Sequence, residues 1–118
     1  MNGAMIAAVM SESRTDVVQG TLDMLILKSV ALEPMHGFGV ARRIEQVSGG
    51  VFRVNPGSLL VAFQRLERDG LVDAEWRTTE NNRQARFYRL TAKGRRRLER
   101  DAREWARRSD AIALLMET

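Results

Sequence analysis

The chain has 118 residues, enough for one domain, and its 44% hydrophobic and 29% charged residues are an ordinary mix for a folded protein. It has no cysteine and one histidine, His36. Disulfides, thiolate metal sites and cysteine nucleophiles are therefore excluded, and a Ser-His-Asp triad has a single candidate base. The net charge of +4 suits a polyanionic partner without requiring one, and no apolar run reaches the ~20 residues of a membrane span, so a cytoplasmic location without metal or cofactor is expected.

Residues 1–16 carry no sustained pattern and read as a mobile arm. The apolar patch Ala4–Met10 has no basic residues before it, unlike a signal peptide. From Thr21 to Leu32 the residues Leu22, Met24, Leu25, Ile26, Leu27, Val30 and Leu32 cover more than one face, which predicts a helix buried from two sides. Pro34 ends it. A second helix is expected from His36-Gly37 to about Val47, with Phe38, Val40, Ala41, Ile44 and Val47 inward and Gly49-Gly50 as its C-cap. Val51–Val54 reads as a short extended piece. Asn55 and Pro56 open a third helix as N-cap and first helical residue. Its inward side is Leu59, Ala62, Phe63 and Leu66, and Gly70 terminates it.

Two strands follow, Leu71–Arg77 and Ala85–Leu90, around a polar hairpin loop from Thr78 to Gln84. Thr91 caps a last helix of about 26 residues, about 39 Å long. In it Leu98, Ala102, Trp105, Ser109, Ile112 and Met116 recur at the alternating four-and-three spacing of a coiled-coil seam. A helix of that length outruns so small a domain, and its far end needs a partner. The element order is that of a winged helix-turn-helix, over residues 17–90, followed by a C-terminal dimerisation helix, over residues 91–118. The expected class is mainly α with a small β-hairpin (α+β). Leu22, Leu98, Ala102, Trp105, Ile112 and Met116 are the expected dimer contacts.

Residues 83–108 hold eleven Lys or Arg against three acids, while the rest of the chain is net negative. A charge run is commonly only a solvated helix face. Here it begins on a wing, beside a helix whose outer side carries Ser58, Val61, Gln64, Arg65 and Arg68. Gln can take adenine edges, Arg guanine or phosphate, and Val a thymine methyl. Ser58 and the free amides of the first turn suit a phosphate. Asn82, Arg83 and Arg86 on the hairpin suit the duplex backbone. His36 reads as a helix-start residue, since no Ser or Asp is placed to make it a base, and an enzyme is not expected. The alternative is a winged-helix protein-interaction module with weak or lost DNA binding.

Four blocks carry a resemblance: Gln19–Leu27, His36–Val40, Gly57–Leu59 with Arg65–Leu71, and Arg86–Gly94. In order and spacing they resemble the PadR family of bacterial transcriptional regulators, from about Val18 to the end of the chain. The resemblance implies a homodimeric winged-helix repressor on a palindromic operator, with one long C-terminal helix as the dimer element and release by a small hydrophobic ligand. The family's usual Leu-Tyr-Pro is Leu59-Leu60-Val61 here, so the aromatic hydroxyl and the proline are absent. In drug-binding short members a Trp matching Trp105 stacks on flat aromatic compounds at the dimer centre. Met24, Asp101 and Ser109 would line such a slot. Equally, Trp105 can simply fill the seam.

Overall fold

The structure, a computed structural model, describes residues 16–118, with side chains from Gly20 onward. The expected N-terminal arm lies outside the described residues, apart from Asp16, which is already helical. The elements are α1 (Asp16–Leu32), β1 (Met35–His36), α2 (Gly37–Val47), α3 (Pro56–Arg68), β2 (Val72–Thr78), β3 (Gln84–Leu90) and α4 (Ala92–Glu117). Helix α1 starts five residues before the apolar pattern that makes it visible. The sheet is antiparallel, in the order β1-β3-β2.

The third strand, β1, is not anticipated by the sequence pattern: it has two residues, too few for alternation to register. Met35 pairs with Tyr88 and His36 with Phe87, which ties the turn after α1 to the wing. His36 is also the N-cap of α2. Its Nδ1 accepts the Gly39 N–H at 3.1 Å, so the imidazole is occupied structurally, as a helix-start residue. Helix α2 buries Val40 and Ile44, whereas Phe38 and Val47, expected inward, are both exposed. Phe38 lies in the first turn and Val47 in the last, where an eleven-residue helix outruns the surface it packs on. The expected glycine cap is present: Gly49 and Gly50 both adopt positive φ, at 63° and 81°.

Helix α3 opens as its sequence dictates, with Pro56 in the first turn and Asn55 capping Gly57 and Ser58. Leu59, Ala62, Phe63 and Leu66 are all buried. They join Ile26, Leu27 and Val30 of α1, Val40 and Ile44 of α2, and Leu71, Val72 and Tyr88 of the hairpin in a single core. Phe63 stacks on Tyr88, with ring centroids 3.8 Å apart and planes 14° from parallel. That stack seats the hairpin on α3.

The root of α4 is fixed by three groups. Thr91 caps the helix, its hydroxyl accepting the Gly94 N–H at 2.9 Å while lying 2.7 Å from the Gly70 carbonyl oxygen. Lys93 Nζ donates to the Asp69 carbonyl at 2.8 Å. Gly94 is buried, and a Cβ there would stand 2.0 Å from the Leu71 carbonyl oxygen and 2.8 Å from Leu90 Cδ1. Only glycine lets the helix backbone approach the hairpin so closely. From there α4 runs along α1, and past Ser109 every residue is exposed.

Gly94→Ala should displace the first turn of α4 and destabilise the fold by about 2 kcal/mol or more, read from the urea midpoint. Gly20→Ala is the control. A Cβ there meets nothing within 4 Å, and the helix interior should gain about 0.5–1 kcal/mol.

Candidate nucleic-acid interface

The outward side of α3 presents Ser58, Leu60, Val61, Gln64 and Arg68, all exposed. Leu60 and Val61 are 56% and 58% exposed despite being apolar. The first-turn amides that were expected to be free are taken. Asn55 Oδ1 accepts from Gly57 N at 2.8 Å and Ser58 N at 3.2 Å, and the Asn55 carbonyl accepts from Leu59 N at 3.0 Å. The N-cap satisfies the donors that a phosphate would have used, which leaves Ser58 its hydroxyl alone.

Arg65 is not on the outward side. Its guanidinium turns back to the carboxylate of Asp23 on α1 in an ion pair, leaving the arginine side chain 20% and the aspartate 5% exposed. Asp23 stands one helical turn from Ile26 and Leu27 and two from Val30, so it shares their buried register. Burial pushes its carboxyl above the usual value, against the hydrogen bond and charge of Arg65 and the charge of Arg97; the charge of Asp101 pushes the same way as burial. Arg68 stays exposed, its Nε 3.2 Å from Asp69 Oδ1.

The hairpin spans residues 79–83 at its tip. Asn82 sits there in the left-handed region, with φ 58°, which Asn tolerates better than most residues. Asn82 and Arg83 are exposed, and Arg83 makes no side-chain ion pair among the described residues. Arg86 does. Its Nη2 meets Glu67 Oε2 on α3 at 2.6 Å, its guanidinium lies 5.6 Å from the Trp76 ring centroid, and its Nε is buried without a partner. Arg86 therefore fastens the wing to α3 instead of standing free toward solvent. Between α2, α3 and the hairpin lies an open groove of about 680 Å³, lined among others by Phe38, Leu60, Trp76 and Tyr88.

A second open groove, of about 710 Å³, runs between α1 and α4. Met24, Asp101, Trp105 and Ser109 all line it, together with Arg97 and Ile112. Arg97 Nε donates to Asp101 Oδ2 at 2.8 Å. Of the expected dimer contacts, Leu22 and Leu98 are partly buried against the chain's own core. Ala102, Trp105, Ile112 and Met116 are exposed. Leu114 and Leu115, off the heptad seam, are exposed as well and widen the apolar end of α4.

The sequence profile of the transcriptional regulator PadR-like family matches residues 26–100. The fold is that of a PadR-like winged helix, and the chain belongs to this family, whose members are transcriptional regulators and not enzymes. A transcriptional regulator of Mycobacterium tuberculosis is 38% identical over 78 residues, covering 66% of this chain and 69% of that protein. A PadR family transcriptional regulator from Eggerthella lenta superposes with a TM-score of 0.75 at 26% identity, over 98% of this chain and 95% of its own. A PadR-like transcriptional regulator from Bacillus cereus shares the fold, with a TM-score of 0.75 at 19% identity over 88% and 99% of the two chains.

Asp23→Ala should destabilise the fold by about 3 kcal/mol, because it strands the Arg65 charge against the core. In a double-mutant cycle with Arg65→Met, the paired variant should lose clearly less than the sum of the single variants. Additive losses would show that the pair is not coupled.

Proposed function

We propose that the chain is a cytoplasmic, DNA-binding transcriptional repressor that acts as a homodimer on a palindromic operator. Helix α3 enters the major groove and the hairpin tip lies over the phosphate backbone. The observation that carries this reading is the joint display of Gln64, Val61 and Ser58 on α3 with Asn82 and Arg83 on a hairpin that Glu67 and Arg86 hold against the same helix. Arg68, at the end of α3, is a phosphate contact. Arg65 and Arg86 act by holding α3 and the wing in place. The exposed apolar end of α4, with Trp105, Ile112 and Met116, joins two copies.

The groove beside Trp105 takes a small flat aromatic effector, which releases the operator. Two features support this: Met24, Asp101, Trp105 and Ser109 line one space, and Asp101 and Arg97 lie close enough to Asp23 for their charges to act on it. The exposed Phe38, Leu60 and Trp76 around the other groove favour a second reading, a module that docks on protein.

Sedimentation should give a dimer at micromolar concentration, and Ile112→Asp a monomer. The wild-type chain should bind a short inverted repeat, with log affinity falling linearly in log salt. Arg83→Ala should weaken binding to all duplexes alike and reduce the salt slope by about one. A dimer with no affinity for any duplex at low salt would instead establish the docking module.

A further inference from the structure

Resting on that reading, we infer that α3 selects A·T pairs at the centre of each half-site, with Leu60 and Val61 packing on thymine methyl groups and Gln64 on an adenine edge. In the major groove, guanine is read by a cationic donor, adenine by an amide, cytosine by a carboxylate and thymine by an apolar surface. The outward side of α3 offers only some of these. The helix's two basic residues are Arg65 and Arg68. Arg65 is held inward by Asp23, and reaching a base would abandon an aspartate side chain that is 5% exposed. Arg68 is the last residue of the helix, next to Asp69, at the edge of the helix where a cation meets the phosphate backbone. Glu67, the helix's one carboxylate, is held by Arg86.

What remains at the centre is Leu60, Val61 and Gln64. Gln64 is three residues from Val61 and four from Leu60, so the three side chains form one patch on the helix surface. Nothing in the described chain covers it: both apolar residues are more than half exposed. A groove floor carrying thymine methyls removes that surface from water, while a G·C floor meets it with polar edges and leaves them unpaired.

The test uses the full chain. Duplexes are selected from a random library by binding, and the centres of the half-sites should be A·T. Each central thymidine of the selected site is then replaced by deoxyuridine, which removes the methyl and nothing else. Affinity should fall about fourfold per contacted methyl. The double variant Leu60→Ser with Val61→Ser, two exposed changes that leave the core intact, should bind the thymidine and deoxyuridine duplexes nearly equally. Gln64→Ala should relax the choice of base at the adenine position. Selection of G·C at the centre, or indifference to deoxyuridine, would overturn the inference and leave DNA binding standing. Failure to bind any duplex would overturn the proposed function, and this inference with it.

Discussion

The ion pair between Asp23 and Arg65 is the constraint on which the rest of this molecule depends. Two charges sit where α1 and α3 meet, and Asp23 shares the buried register of Ile26 and Leu27 on α1. An unpaired charge at that place would be far costlier than the pair, so each partner fixes the other's position. The pair reinforces the orientation of α3 about its own axis that burial of Leu59, Ala62, Phe63 and Leu66 sets. With Arg65 drawn inward, Leu60, Val61 and Gln64 become the outer face. An arginine that composition alone would assign to a ligand is thus spent on orientation, and the surface it leaves behind is less cationic and more apolar than the sequence suggests.

The hairpin is joined to α3 by contacts of two kinds. Phe63 stacks on Tyr88 in the core, and Arg86 bridges to Glu67 at the rim while its guanidinium lies near Trp76. Strand β1 adds a third attachment by pairing with β3. Helix α2, whose cap is His36 in that same strand, is thereby tied to the wing as well. The helices and the hairpin form one body, and only the tip around Asn82 and the distal half of α4 stand away from it.

Most of the fold was legible because its signals are local. Asn55-Pro56 and Thr91 announce helix starts through groups that bond their own first turns, and Gly49-Gly50 and Gly70 announce ends through positive φ. The four buried positions of α3 follow from periodicity alone. Strand β1 was hidden because pairing with a strand fifty residues away leaves no mark in two residues. The roles of Arg65 and Arg86 were hidden for a related reason: their partners, Asp23 and Glu67, lie on other elements, and helical spacing shows a side chain's direction but not what waits there. One signal was present and readable. An aspartate in register with Ile26, Leu27 and Val30 has to be buried, and a buried carboxylate requires a cation.

A carbonyl occupies the space where any residue but Gly94 would carry a side chain, and Thr91 and Lys93 hold the same turn. Helix α4 is therefore a lever clamped at its base, with no swivel where it leaves the body. Force applied near Trp105 is not absorbed by a joint. It swings the whole head as a rigid piece, and over the arm of about 20 Å between the clamp and Trp105 a rotation of about 5° becomes about 2 Å of travel.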